Sequence, residues 1–238
     1  MIKVKNITKT FKAFKALNNL SLEVAGGEIY GLLGSNGAGK STTINILLGF
    51  LEPDSGEAFV NSINATSETH NARKNIGYIP ENVNLYPYLT GIENLNYFCS
   101  LGGKNHSNEK LIEILIECGL DLIATNKKVD TYSKGMRQKV GIAIALAKKA
   151  KVYLLDEPAS GLDPLASTEL SALLKTLSRR GAAVLMASHD IFRVRETCNR
   201  IGILKAGKLV KEMETSSVTT EELEKIYTIS GDVIATPE

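Results

Sequence analysis

IYGLLGSNGAGKSTTINILLGF, from Ile29 to Phe50, holds a strand, a loop and a helix in that order. IYGLL is short, apolar and bounded by glycine, as a buried strand is. Gly34–Ser41 matches G-x-x-x-x-G-K-[ST] in full, and an apolar helix, TTINILLGF, follows. This is the context in which the motif binds nucleotide phosphates. Gly34, Ser35, Asn36, Gly37, Ala38 and Gly39 can wrap backbone N–H groups around phosphate oxygens, helped by the helix dipole. Lys40 is expected to reach the β- and γ-phosphates and the Ser41 hydroxyl to bind Mg²⁺, with Thr42 beside it at the helix start.

Moving outward, the same carboxyl edge of a sheet should receive two further groups. VYLLDE (Val152–Glu157) is a buried strand ending in two acids. Asp156 suits a metal role and Glu157 suits the polarising or deprotonating of an attacking water. MASHD (Met186–Asp190) ends another apolar strand, and its His189 can meet a γ-phosphate. A second anion-seeking helix start, DTYSKGMRQKVGIAIALAKKA (Asp130–Ala150), carries Ser133 and Gly135 but no metal machinery of its own.

The rest of the chain reads as an α/β core interrupted by helices, roughly Asn82 to Ala150. Alternating strands open it, GEAFV (Gly56–Val60) continues them, and RIGILKAGKLV (Arg200–Val210) turns at Ala206-Gly207. Thr90 and Glu93 form a capping box. Gly102-Gly103 closes that helix, and Leu111, Ile112, Leu115 and Ile116 are expected to share one face of the next. Asp163 with Pro164 opens a helix whose apolar face is Leu170, Leu173, Leu174 and Leu177. TTEELEKIYTI is a short amphipathic helix, after which the end of the chain is expected to fray.

Composition narrows the function classes. The net charge is +2, which carries no nucleic-acid footprint. The short basic pairs Lys127-Lys128, Lys148-Lys149 and Arg179-Arg180 read as solvated faces. Cys99, Cys118 and Cys198 are dispersed, without a CxxC, which fits a reducing compartment rather than a disulfide or zinc framework. The start has no signal-peptide pattern, and no apolar run spans a bilayer. Any membrane role must therefore be played through a partner.

GSNGAGKS, YSKGMRQK, VYLLDEP, SGLDP and SHD, in this order, resemble the ATP-binding subunit of an ATP-binding cassette (ABC) transporter. The likeness covers nearly the whole chain, from Ile2 to about Val210. It implies a P-loop NTPase fold: a RecA-like α/β core with a β-subdomain (1–81 and 151–215), an inserted helical subdomain (82–150), and a C-terminal helix and tail (216–238). It implies ATP and Mg²⁺ as ligands and Phe11 as the aromatic on adenine. Glu157 takes the place of the catalytic glutamate and His189 that of the γ-phosphate histidine. Tyr132–Met136 corresponds to the signature usually written LSGGQ, with Ser133 and Gly135 matching. Ser160–Asp163 matches the loop that couples two subunits. Two such subunits, expected to be identical, would close head to tail over two ATP molecules.

Three residues depart from the family pattern. Glu81, in IGYIPEN, stands where a glutamine usually meets Mg²⁺ and water, so it joins Ser41 and Asp156 as a candidate metal ligand. Lys134 replaces a signature glycine and supplies a cation. Met136 replaces the signature glutamine. Together they resemble the branch serving ABC-2 type export permeases. The expectation is an ATPase peripheral on the cytoplasmic face of the cell membrane, driving a separate permease, with Tyr86, Pro87 and Tyr88 either in the permease groove or in ordinary core. The rivals are a soluble ABC ATPase with a task such as iron–sulfur cluster assembly, and a non-catalytic nucleotide-binding module, against which Glu157 argues.

Overall fold

The computed structural model describes residues 1–232. β1 (Ile2–Phe11) and β2 (Phe14–Val24) form an antiparallel hairpin whose tip sets Phe11 opposite Phe14. β3 (Ile29–Leu33) runs through the glycine-rich loop into α1 (Lys40–Leu47). β4 (Ser55–Val60), β5 (Ile63–Asn64), α2 (Thr69–Lys74) and β6 (Ile76–Ile79) follow. The helical stretch comprises α3 (Gly91–Leu101), α4 (Asn108–Glu117), α5 (Leu122–Thr125) and α6 (Lys134–Ala147). The chain then alternates again: β7 (Val152–Asp156), α7 (Pro164–Arg179), β8 (Ala183–Ser188), α8 (Ile191–Thr197), β9 (Arg200–Lys205) and β10 (Lys208–Glu214). α9 (Thr220–Asp232) ends the described chain, so the expected fraying lies outside the described residues.

One sheet has the order β2-β1-β4-β5 and is antiparallel; the other has the order β10-β9-β3-β8-β7-β6. In the second sheet β9, β3, β8, β7 and β6 are parallel, and β10 closes one edge antiparallel. Parallel sheets are covered on both faces, so their strands read as unbroken apolar runs. Ile29 and Leu33 of β3 point into the cluster shared with the helical stretch, while Tyr30 and Leu32 point into the one shared with β1, β2 and α1. That alternation is the two-residue period of a strand.

The sequence-level helix signals are realised with their chemistry. Thr90 Oγ1 accepts from the Glu93 N–H at 3.2 Å, and Glu93 Oε2 accepts from the Thr90 N–H at 2.8 Å. Thr90→Ala is expected to cost about 1 kcal/mol, read as a lower urea midpoint with unchanged slope. Asp163 Oδ1 caps α7 through the Ala166 N–H at 2.9 Å. Gly49, at φ 65°, ends α1 earlier than TTINILLGF suggested.

Two expectations change. On α4 the buried face is Leu111, Ile114 and Leu115, while Ile116 is 47% exposed. Ile116 lies five residues beyond Leu111, about 140° round the helix. Lys148 is not on a solvated face: its Nζ donates to the carbonyls of Arg73 (2.5 Å) and Ile76 (2.8 Å), and burial pulls its pKa down. Arg179 and Arg180 do lie on an exposed face, where Arg180 pairs with Glu117. The short elements β5, α2, β6 and α8 carry too little periodicity to announce themselves.

The three cysteines are free and buried, and burial raises their thiol pKa values, that of Cys118 to about 12. No helix among the described residues is long and apolar enough to cross a membrane.

Candidate nucleotide-binding and hydrolysis site

Register assembles the site. Leu33 pairs with Ser188 and Asp156 with Ala187, so the loop after β3, the acids after β7 and the histidine after β8 emerge at one sheet edge. This carboxyl edge is where ligands bind in open α/β sheets. A cleft of 270 Å³ lies there. Ser35, Asn36, Gly37, Gly39, Lys40, Ser41 and Thr42 form one wall, and Glu81, Asp156 and Glu157 form another. Phe11 enters from the β1–β2 tip, joined by Phe14 and Ala16.

Phe11 and Phe14 are 46% and 57% exposed, two aromatic faces open to a flat ring. Phe14 was not singled out from sequence; its placement opposite Phe11 in the hairpin is the signal that finds it. Gly34 and Ala38 are buried beneath the loop rather than lining the cleft. Gly39 has φ 112°, and a Cβ there would sit 2.6 Å from the Ala16 carbonyl oxygen, so the loop can pass the hairpin only without a side chain.

Lys40 is 5% exposed. Its ammonium donates to the Gly34 carbonyl at 2.6 Å and the Ser35 carbonyl at 3.2 Å, and lies 3.3 Å from Glu157 Oε1. The same Oε1 is 2.9 Å from His189 Nδ1. Glu157 Oε2 accepts from Ser188 Oγ at 3.2 Å and the His189 N–H at 3.3 Å. Glu157 holds φ 47°, a left-handed conformation costing a non-glycine residue of order 1 kcal/mol. The turn it makes swings the carboxylate across β8 instead of along β7.

Asp156 tests whether a divalent cation fits. Its Oδ1 is buried and has no hydrogen-bond partner. Burial pushes its pKa up; a hydrogen bond from Ser41 and the Lys40 charge oppose this, and Glu157 and Glu81 add to it. A buried carboxylate oxygen beside a hydroxyl, with Glu81 in the same cleft, is an all-oxygen donor set suited to a hard cation such as Mg²⁺. Glu81 is exposed, and its Oε1 accepts from Ser160 Oγ at 3.0 Å.

Ser133 and Gly135 do not line this cleft. Ser133 caps α6, its Oγ accepting from the Met136 N–H at 3.2 Å. Gly135 is buried against α7, where an added Cβ would come 3.1 Å from Ala166 Cβ. The Lys134 side chain passes over Gly161, and Met136 turns partly inward onto the core. Tyr86 and Tyr88 are 46% and 79% exposed, so the surface reading of that segment holds over the core one.

A glycine-rich loop between strand and helix, a buried lysine and a strand-end acid at one sheet edge define a P-loop nucleoside triphosphatase. Residues 17–160 match the ABC transporter family. The chain belongs to that family and is its ATP-binding, ATP-hydrolysing subunit. An uncharacterised ABC transporter ATP-binding protein, YhcH, of Bacillus subtilis is 41% identical over 212 residues, 88% of this chain and 68% of that one. The bacitracin transport ATP-binding protein BcrA of Bacillus licheniformis is 36% identical over 214 residues, 90% of this chain and 69% of that one. The dimeric post-hydrolysis structure of the ATP-binding cassette MJ0796 with ADP and Pi superposes with a TM-score of 0.80 at 31% identity, covering 90% of this chain and 99% of that one.

Proposed function

We propose that this subunit powers export through a separate integral membrane permease of the ABC-2 type, at the inner face of the cell membrane and paired with an identical second copy. The observation that carries the hydrolytic part is the position of Glu157, with one oxygen facing both His189 and Lys40 beside the glycine-rich loop. Phe11 stacks on adenine. The backbone of Gly34–Gly39 and the Lys40 ammonium bind the phosphates. Ser41 and Asp156, with Glu81 beside them, hold Mg²⁺, which when bound neutralises charge on the phosphate oxygens. Glu157 orients and deprotonates the attacking water, and His189 steadies that carboxylate and the γ-phosphate. Such transfer needs positioning and charge stabilisation above all.

Ser133 and Gly135 complete the site of the second subunit. Their separation from the chain's own cleft supports this, as does the dimeric state of the similar cassette. In this reading residues 1–81 with 151–215 are the core unit and 82–150 the helical unit. The exposed Tyr86–Tyr88 segment is the permease-docking surface, and the bacitracin-transport relative supports an exported substrate.

Affinity purification of the tagged chain from membranes in mild detergent tests the reading. An integral membrane protein should co-purify. In that assembly Ser133→Ala should lower ATPase activity roughly 10²-fold, with nucleotide binding by the free subunit unchanged. Recovery of the chain with no membrane protein attached overturns the export reading and favours a soluble task such as iron–sulfur cluster assembly.

A further inference from the structure

Gln138 sits on α6 just over one turn beyond Ser133 and is 2% exposed. Its Nε2 lies 3.1 Å from the Glu81 carbonyl oxygen, 3.3 Å from that of Pro158 and 3.4 Å from that of Pro80. These carbonyls set the amide's orientation, because flipping it would aim Oε1 at three acceptors. Oε1 itself is buried with no hydrogen-bond partner. Methionine or leucine there would remove the stranded Oε1 but leave these carbonyls without the donor that Gln138 supplies. The donor end is what explains the amide.

That end ties together the two segments bearing the cleft's carboxylates. Pro80 and Glu81 form one, and Pro158 directly follows Glu157 in the other. Ser160 Oγ, donating to Glu81 Oε1 at 3.0 Å, links the same segments again. Two amide protons face three carbonyls, so both segments draw on one donor carried by α6.

We propose that Gln138 is a positioning residue for ATP hydrolysis. It holds the Glu81 segment and the turn after Glu157 in register with the start of α6, so that the carboxylates and Ser133–Gly135 are placed together. The part concerning Ser133 rests on the second-subunit role proposed above; the tie between the carboxylate segments does not.

Gln138→Met keeps the side chain's length and removes both the donor and the stranded acceptor. Steady-state ATPase kinetics, binding of a non-hydrolysable ATP analogue and the thermal midpoint are measured on the purified chain. Expected is a kcat roughly 10- to 100-fold lower, with KM and analogue affinity within about threefold and the midpoint lowered by no more than about 5 °C. An unaltered kcat, or parallel losses of kcat, affinity and midpoint, overturns the proposal. Ser160→Ala removes the second link at a half-buried position and should lower kcat without changing KM. An unchanged kcat there, together with a Gln138→Met chain that does not fold, also overturns it. Losses from Ser133→Ala and Gln138→Met that simply multiply overturn the link through α6. Ser133→Ala without any loss counts against the second-subunit role instead.

Discussion

Replacing Glu157 with glutamine is expected to lower ATP hydrolysis roughly 10³-fold while leaving Mg·ATP binding intact. Glutamine keeps the size and the hydrogen-bonding reach toward Ser188 and His189 but cannot take a proton from water. It also removes a negative charge that lies 3.3 Å from Lys40 Nζ, at the cleft that receives the triphosphate. Affinity for ATP should therefore be equal or higher. With binding retained and turnover stopped, the chain should elute as a dimer in ATP. Phosphate release, fluorescent-nucleotide titration and gel filtration read the three effects. Turnover within tenfold of the parent would remove Glu157 from its role, and a strictly monomeric chain in ATP would count against the paired site.

Lys40→Met is expected to weaken ATP binding on the order of 10²-fold, from the loss of a desolvated charge-assisted contact of 2–5 kcal/mol. The stem is buried and methionine occupies similar space, so the loop should keep its course. The variant also leaves the Glu157 carboxylate, 13% exposed, without its cationic neighbour beside an incoming polyanion. The double variant Lys40→Met/Glu157→Gln separates these effects by relieving the second. Isothermal titration with Mg·ATP reads affinity, and circular dichroism checks the fold. Unchanged affinity in the single variant would remove Lys40 from the phosphate contact.

Much of the fold was legible because its signals are local. IYGLL and VYLLD are apolar runs of strand length and form β3 and β7, and the strand that precedes His189 is β8, ending at Ser188. Thr90, Ser133, Asp163 and the Ala206-Gly207 turn announce helix starts and a hairpin through side-chain and backbone chemistry within a few residues. The α4 face is not legible at Ile116 because several registers of a leucine- and isoleucine-rich run look alike until a neighbour selects one. The place of Lys148 is not legible either, because its partners are carbonyls brought to it by another part of the chain.

The sequence by itself determined that a phosphate loop joins a buried strand to a helix, and that acids and a histidine end two other buried strands. Those facts depend on residue type, spacing and backbone propensity, all of which act over short stretches. The tertiary structure alone decided that β3 lies between β8 and β9, with β7 on the far side of β8. That order brings Lys40, Glu157 and His189 together around one carboxylate oxygen, leaves Asp156 Oδ1 buried without a partner, and keeps Ser133 and Gly135 out of the same cleft. It also places Gln138 under both carboxylate segments. Strand order and the partners each side chain meets are set by contacts between distant parts of the chain, which local propensity does not specify.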